Sequence, residues 1–180
     1  PPDINGINKF AAEQYHLLYH KIHNLNTVVL RLTNTYGPRM RIKDARQTFL
    51  GIWIRNLIEG NVIQVFGDGK QERDFNYVDD VIDALILCSE NEKAIGRVFN
   101  IGSNTIMSLF DLATEICKLK KGSRWSLVPF PKDKKAIDIG NYYSDFSLAN
   151  KLLKWTPKTS LKDGLKKTYN FYNKNLKQYI

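Results

Sequence analysis

The segment of this chain whose residue types are best suited to binding a ligand contains a single arginine, Arg73. Arg73 follows a glycine turn at residues 67–69 and precedes the aromatic stretch 75–77. A planar guanidinium that is always charged donates to a pair of phosphate oxygens better than a lysine ammonium does. The same side chain would also suit a surface ion pair with Asp74 or Asp79. The residue types alone favour the two interpretations equally.

Further motifs accompany this segment in a fixed order along the chain. Residues 31–39, 66–81, 98–102, 143–147 and 152–157 read RLTNTYGPR, FGDGKQERDFNYVDDV, VFNIG, YSDFS and LLKWTP. Together they resemble the C-terminal half of the extended short-chain dehydrogenase/reductase family, and within it the NAD-dependent nucleotide-sugar epimerases and dehydratases. The likeness extends from Asn5 to Tyr172.

The resemblance implies roles for particular positions. It implies that Arg73 and Asn34 bind the diphosphate of a sugar nucleotide. It puts Lys135 near an arginine that binds phosphate in the family, although the charge run at residues 132–135 also suits a surface lysine. The end of the strand that precedes Asn34 would line the cleft, with Leu32 and Thr33 towards the cofactor and Tyr36 towards the substrate.

The N-terminal end departs from the family at one position. The family's catalytic pair is a tyrosine and a lysine four residues later; here Lys9 and residues 10–13 match, whereas Asn5 stands at the tyrosine position. The resemblance assigns Lys9 to the nicotinamide ribose and Asn5 to the catalytic site beside the reacting carbon. An asparagine amide hydrogen-bonds but does not titrate, so Asn5 cannot be the same general base. Three accounts stay open: another residue moves the proton, the chemistry differs, or the protein binds without catalysing.

The predicted elements alternate between helix and strand, as in an α/β fold. Apolar spacing predicts an amphipathic helix over residues 8–23, and a β-branched run predicts a strand over 27–32 that is buried on both faces. A helix over 44–59, capped by Asp44 and ended by Gly60, precedes a strand over 62–66. Another helix is predicted from a cap at Asp79 to Glu90, followed by a strand over 98–102, and its buried face would hold Ile82, Leu85, Leu87 and Cys88.

Smaller signals complete this picture. Ser108 with Asp111, and Ser160 with Asp163, predict two helix starts. Residues 1–6 lack the features of a signal peptide and are interpreted as a turn inside a longer protein. Cys88 and Cys117 lie in amphipathic patterns, so we expect two core thiols rather than a disulfide or a metal site, and a reducing, cytoplasmic location.

Composition and charge limit the class of protein. Among 180 residues, 43% are hydrophobic and 12% aromatic, which suffices for a core, and no apolar run is long enough for a membrane segment. The net charge of +9 suits an anionic partner, either a small phosphorylated ligand or a nucleic acid. A solvated lysine surface is favoured over a nucleic-acid interface, because aromatic residues are not interleaved with the lysines. The lysines concerned are Lys151, Lys154, Lys158, Lys162, Lys166, Lys167, Lys174 and Lys177.

The predicted fold class is α/β, with the C-terminal part of a Rossmann-like parallel sheet and a smaller α/β substrate-binding domain. The resemblance assigns residues 1–34 and 75–95 to the NAD-binding domain, and 35–74 and 96–180 to the sugar-nucleotide domain. The family's glycine-rich phosphate loop is found nowhere in the 180 residues. We therefore expect a missing N-terminal half of the same protein, NAD or NADP as cofactor, and a homodimer formed through the helix that carries Lys9.

The resulting hypothesis is an epimerase or dehydratase that transiently oxidises a nucleotide-diphosphate sugar through NAD, present here as a C-terminal fragment that is inactive alone. One alternative is a catalytically impaired scaffold of the same fold that binds RNA or another polyanion, which a steep salt dependence would reveal. Another is a reductase, which would release its cofactor in changed form.

Overall fold

Helices and strands alternate along most of the chain. The structure, a computed structural model, describes residues 3–44 and 48–180. Its helices are α1 Ile4–His23, α2 Phe49–Glu59, α3 Val78–Glu90, α4 Leu109–Cys117, α5 Lys132–Lys135, α6 Ser147–Leu153 and α7 Leu161–Asn175. Its strands are β1 Val29–Leu32, β2 Asn34–Tyr36, β3 Ile63–Phe66, β4 Glu72–Tyr77, β5 Val98–Ile101, β6 Ile106–Ser108 and β7 Trp125–Val128. Short 3₁₀ turns at Glu92–Ala94 and Leu176–Gln178 follow α3 and α7.

The strands form small sheets in which parallel pairing predominates. β1 pairs with β5, β2 with β4, and β3 with β7, all in parallel, while β6 adds to β4 antiparallel. Parallel pairs require crossover connections, and helices supply them here. The prediction of an α/β chain with parallel strands is confirmed.

The larger core packs α2, α4 and α7 around β2, β3 and β4. Its buried side chains include Tyr36, Trp53 and Tyr172. Tyr172 donates a hydrogen bond to the Met40 carbonyl at 2.6 Å, which ties the last long helix to the loop after β2. Truncating a buried aromatic residue in such a core costs about 3–5 kcal/mol.

A second, smaller core joins α3 and α6 to β5. Trp155 is 1% exposed, packs edge-on against Phe146, and donates its indole N–H to the Asp80 carbonyl at 2.9 Å. Thr159 donates its backbone N–H to the Asp80 side chain at 2.9 Å. The segment after α6 is therefore fixed to α3.

The apolar faces of α1 and α3 differ from the prediction. Glu13 is the buried residue of α1, whereas its apolar side chains, such as Phe10 and Ile22, are about half exposed or more. In α3 the buried positions are Asp80, Val81, Ala84 and Cys88, and Leu87 is partly buried. The predicted core residues Ile82 and Leu85 are 46% and 49% exposed. Each helix thus presents an apolar face that the described residues leave uncovered.

Several predicted boundaries shift. α1 begins at Ile4 with Asp3 as its cap, so residues 4–6 are helical rather than part of a turn. α2 begins at Phe49 behind a Thr48 cap; Asp44 instead accepts hydrogen bonds from Arg41 at 2.6 and 2.9 Å, and residues 45–47 lie outside the described part. Asp79 lies in the first turn of α3 and does not cap it.

The strand predicted over residues 27–32 is not buried on both faces. β1 is shorter than predicted and only partly buried. β5 pairs with one of its edges, and the described residues provide no strand on the other. The chain continues directly into β2, which sequence patterns did not predict as a strand.

Other local predictions are confirmed. Ser108 and Ser160 cap α4 and α7 by accepting the N–H groups of Asp111 and Asp163 at 3.0 and 3.1 Å. Gly60 ends α2 with a φ of 81°. Neither Cys88 nor Cys117 forms a disulfide, and both thiols are at least partly buried.

Candidate functional site

A glycine turn delivers Arg73 to its place. Gly67 and Gly69 have φ values of 70° and 69°, the left-handed region that glycine adopts without strain. A side chain at position 69 would also meet Val65 Cγ1 at 3.0 Å. The tight turn carries the chain from β3 into β4, where Arg73 and Asp74 are both buried.

The Arg73 guanidinium is anchored on one side and open on the other. Its Nη1 donates to the Glu72 carbonyl at 2.8 Å and to the Gly140 carbonyl. Its Nη2 lies 3.6 Å from the Asp138 carboxylate. Burial lowers the pKa of this guanidinium, and Asp138 partly opposes the shift. Within residues 3–44 and 48–180, Nε and Nη2 donate no hydrogen bond, so a charged fork remains available.

This arrangement corrects the alternative of a surface ion pair. Arg73 is 8% exposed, and its acidic neighbour is Asp138, on the distant segment after α5, rather than Asp74 or Asp79. The pairing distance of 3.6 Å is longer than a charge-assisted hydrogen bond. Asp138 therefore compensates the buried charge without occupying the fork.

Arg73 forms part of the wall of a pocket of about 510 Å³. This volume lies within the range of small-molecule sites, about 300–1,000 Å³. The pocket walls are largely apolar and aromatic, and include Phe49, Trp53, Phe66 and Phe130. Polar side chains at the same pocket are Asp3, Asn56, Gln64, Gln71, Lys134 and Asp138.

Two polar groups in this pocket have room for a ligand. The Gln71 Oε1 atom is buried and has no hydrogen-bond partner among the described residues. Lys134 holds its ammonium 4.8 Å from the centre of the Phe66 ring, a cation–π contact at the pocket wall. A buried acceptor without a partner is costly, so Gln71 Oε1 is a candidate to accept a hydrogen bond from a ligand in this pocket.

Lys135, the lysine predicted to lie near a phosphate, is not part of this pocket. Lys135 is exposed on α5 and does not line the pocket, whereas its neighbour Lys134 does. The difference of one residue follows from the short helix, since adjacent positions on a helix face different directions.

The residues predicted near the end of β1 have different environments. Leu32 is 40% exposed at the strand end. Thr33 is buried, and its hydroxyl accepts a hydrogen bond from Asn76 Nδ2 at 2.9 Å. Asn34 is half-buried and donates to the Asp74 carbonyl at 3.1 Å, which links it to the residue after Arg73.

The structure places Tyr36 in the core rather than in the cleft. Its side chain is 1% exposed, packs edge-on against Phe75 and Tyr77, and donates to the Leu161 carbonyl at 3.3 Å. Burial raises the pKa of this phenol. Alternation along β2 explains the correction, because the side chain of Tyr36 points to the face that α7 covers.

A buried carboxylate lies next to the arginine. Asp74 is fully buried and accepts the Ser103 N–H at 3.0 Å through Oδ2. Its Oδ1, the Asn76 Oδ1 and the Ser144 Oγ have no hydrogen-bond partner among the described residues. Burial raises the pKa of Asp74, and the hydrogen bond from Ser103 opposes this shift. Asp74 thus connects β4 to the loop after β5.

Asn5 and Lys9 are both exposed, one helical turn apart, on one face of α1. The cap of this helix, Asp3, lines the same pocket as Arg73, so the start of α1 lies near the pocket. One turn beyond Lys9, the Glu13 carboxylate accepts Arg31 Nη2 at 2.6 Å and Nε at 2.8 Å. The hydrogen bond from Arg31 lowers the pKa of Glu13.

Two further features of the described residues bear on function. No three His, Cys, Asp or Glu side chains come together as metal ligands would. None of the helices there combines the length and the apolarity needed to cross a bilayer. The eight lysines named above are all exposed.

Sequence reasoning identified Arg73 but missed most of the pocket around it. Phe49, Trp53, Phe130 and Asp138 were assigned no role, and Lys134 was taken only as part of the charge run at residues 132–135. The aromatic side chains resemble ordinary core residues in sequence. Only tertiary contact brings residues 49–73 and 130–139 to the same cavity.

Comparison with known proteins gives a consistent result. Residues 5–102 match the NAD dependent epimerase/dehydratase family. The UDP-glucuronic acid decarboxylase 1 of Arabidopsis thaliana is 33% identical over 157 residues, which are 87% of this chain and 34% of that protein. The UDP-glucuronate 4-epimerase of Thermodesulfobacterium geofontis is 32% identical, over 93% of this chain and 50% of that protein.

Solved structures agree with the sequence comparison. The UDP-glucose 4-epimerase of Thermotoga maritima, solved with UDP-glucose, superposes with a TM-score of 0.81 at 33% identity, over 95% of this chain and 53% of its own. The UDP-glucuronic acid 4-epimerase of Bacillus cereus, solved with UDP-glucuronic acid and NAD, gives a TM-score of 0.80 at 32% identity, over 95% and 52%. The chain therefore spans a third to about half of the length of such relatives.

Proposed function

The chain belongs to the NAD-dependent epimerase/dehydratase family, and we propose that it forms the sugar-nucleotide-binding part of a nucleotide-sugar epimerase or dehydratase. The chain spans about half of most relatives, so the activity proposed is that of the whole protein. The match to relatives that act on UDP-sugars supports a nucleotide-diphosphate sugar as the substrate class.

The open guanidinium fork of Arg73 is the observation that carries this proposal. Its Nη1 donates to two backbone carbonyls, whereas Nε and Nη2, with three N–H groups between them, donate no hydrogen bond to the described residues, and the side chain lines the pocket. A diphosphate presents paired oxygens with the spacing that such a fork matches. Binding it would replace the loose contact with Asp138 by short, charge-assisted hydrogen bonds.

The rest of the pocket suits a nucleoside. Flat aromatic side chains that are only partly buried, Phe66 and Phe130, provide surfaces against which a base can stack. Gln71 Oε1 would accept an N–H of the ligand, and Asp138 would accept a ribose hydroxyl. Lys134 adds a second positive charge to the lining that contains Arg73, which favours an anionic ligand.

The residues present fit one side of an NAD site. Lys9 is exposed on α1 and free to donate to a ribose hydroxyl, and Leu32 offers apolar surface at the end of β1. The Thr33 hydroxyl is engaged with Asn76 and its backbone N–H with the Ile101 carbonyl, so Thr33 would contribute its own carbonyl only. When bound, NAD supplies a hydride acceptor for oxidation of the sugar.

Asn5 would orient the sugar rather than move its proton. Its amide both donates and accepts hydrogen bonds, and it lies on the helix face that also carries Lys9. Proton transfer would then fall to a group other than the side chain at position 5. In this proposal the described residues bind and orient the substrate, and another group carries out the acid–base step.

For the domain organisation, we keep residues 1–34 and 75–95 with the NAD-binding part and most of 35–74 and 96–180 with the substrate part. The pairing of β5 with β1, and the small core that joins α3, β5 and α6, support moving β5 and α6 to the NAD-binding part. The uncovered faces of α1 and α3, together with the free edge of β1, support a further α/β unit that packs there.

The test is a calorimetric titration of the chain with UDP, dTDP, GDP and CDP. One of them should bind with a stoichiometry of one, and the corresponding nucleoside at least tenfold more weakly, since the diphosphate contact is lost. The RNA-binding alternative predicts no selectivity among the four and a steep salt dependence with an RNA oligonucleotide. Absence of binding to all four would contradict the proposal.

A further inference from the structure

We infer that Glu13 is a positioning residue that sets where Asn5 and Lys9 stand relative to the end of β1. The inference rests on the proposed function and adds to it a residue that touches neither substrate nor cofactor.

α1 is a long helix with few anchors. Most of the apolar side chains along it are exposed, Leu17 is partly buried, and Glu13, at 8% exposure, is its buried residue. Two contacts fix its C-terminal end: Thr27 Oγ1 donates to the His16 carbonyl at 3.0 Å, and the His20 ring contacts the Leu25 carbonyl at 2.8 Å. Their partners, Leu25 and Thr27, lie in the turn that follows the helix. These two contacts therefore fix the C-terminal end as a pivot, and the rest of α1 can still tilt about it.

The Glu13–Arg31 pair fixes the other half. Two parallel hydrogen bonds, 2.6 and 2.8 Å long, join the carboxylate to the guanidinium and restrict both rotation and tilt. Arg31 lies within β1, where it pairs in register with Asn100 of β5. The helix is therefore referenced to the parallel sheet rather than to a loop.

Asn5 and Lys9 depend on this contact geometrically. They precede Glu13 by eight and four residues, so the three side chains lie within one narrow face of α1. Asn5 is fifteen residues before His20, or about 22 Å along the helix. With the pivot at that end, a tilt of about 3° displaces Asn5 by about 1 Å, an error that costs about 100-fold in rate at an active site.

The test compares Glu13→Ala with Glu59→Ala in the full-length protein. Glu59 accepts Arg55 Nε at 2.8 Å, so the control also loses a carboxylate–guanidinium pair, but at the end of α2. We expect Glu13→Ala to lower kcat by about 10- to 100-fold while the Kd for UDP changes less than twofold, because Arg73 is on another strand. Glu13→Gln, which keeps one hydrogen bond, should fall between the parent and Glu13→Ala. A kcat for Glu13→Ala within twofold of the parent overturns the inference.

A second readout does not require turnover. Hydrogen exchange of amides in residues 8–13 should be several-fold faster in Glu13→Ala than in the parent and unchanged in Glu59→Ala. If the parent turns over no nucleotide sugar, the proposed function has failed, and this comparison alone decides the positioning claim. Equal exchange in parent and Glu13→Ala overturns it. If Glu13→Ala does not fold, Glu13→Gln takes its place in both measurements.

Discussion

Replacing Arg73 by methionine removes the charged fork and keeps an unbranched side chain in the pocket wall. In the parent, Arg73 lines the pocket, its Nη1 donates to two backbone carbonyls, and its Nε and Nη2 donate no hydrogen bond to the described residues. The variant therefore loses the diphosphate contact and also two internal hydrogen bonds. These two consequences are measured separately.

The expected loss of affinity follows from the strength of the hydrogen bonds that the charged guanidinium makes to phosphate oxygens. A hydrogen bond to a charged group contributes about 1.5–3 kcal/mol, which corresponds to about a 10- to 100-fold rise in Kd for the nucleoside diphosphate. The nucleoside, which has no phosphate, should bind parent and variant equally within about threefold. Arg73→Lys keeps the charge without the fork and should lose about half as much binding free energy.

Isothermal titration calorimetry measures these Kd values, and urea unfolding shows that each variant is folded at the titration temperature. Arg97→Met is the matched control, because Arg97 is exposed and lies outside the pocket. The reasoning is refuted if Arg73→Met binds the diphosphate within threefold of the parent. It is also refuted if Arg97→Met loses as much affinity, since the effect would then reflect overall charge.

Three further predictions concern other parts of the chain. Asn5→Tyr in the full-length protein should change kcat by less than about tenfold, because the proposed function gives proton transfer to a group other than the side chain at position 5; a rise of about 100-fold or more would contradict this. Gly164→Ala should lower the free energy of unfolding, measured in urea, by about 1–3 kcal/mol, because the new methyl carbon would lie 2.0 Å from the buried Tyr36 hydroxyl. The control Lys166→Ala, on the exposed face of the same helix, should change it by less than about 0.5 kcal/mol. Burial raises the pKa of Asp74, so the folded protein loses stability as the pH rises from the ordinary Asp pKa of about 3.9 through the raised pKa. The gain in unfolding free energy of Asp74→Asn over the parent should therefore be larger at pH 8 than at pH 4. Equal gains at the two pH values would contradict this.

The elements were predictable where local signals define them. Serine caps with a carboxylate three residues on, the glycine at the end of α2 and the β-branched run before Asn34 each specify backbone conformation within a few residues. The buried faces of α1 and α3 were not, because Ile82 and Phe10 show the same apolar spacing whether or not the residues that cover them are in the chain.

The site was predictable in part for the same reason. Arg73 stands in a motif with an unusual turn and could be found from sequence. The environment of its guanidinium could not, because the Gly140 carbonyl and Asp138 come from a segment more than sixty residues later. Tyr36 was assigned to the cleft from its neighbours in sequence, yet strand alternation directs it to the core. The Glu13–Arg31 pair also joins residues from separate elements.

The central claim is that the pocket beside Arg73 holds a nucleotide diphosphate. A crystal structure of the protein with whichever of UDP, dTDP, GDP or CDP binds tightest tests it most directly. We predict the two phosphates within about 3 Å of Arg73 Nε and Nη2, and the base against the aromatic wall that contains Phe66 and Phe130. A diphosphate bound elsewhere, for example on the exposed lysines of α7, with the Arg73 fork still facing an empty pocket, would contradict the account.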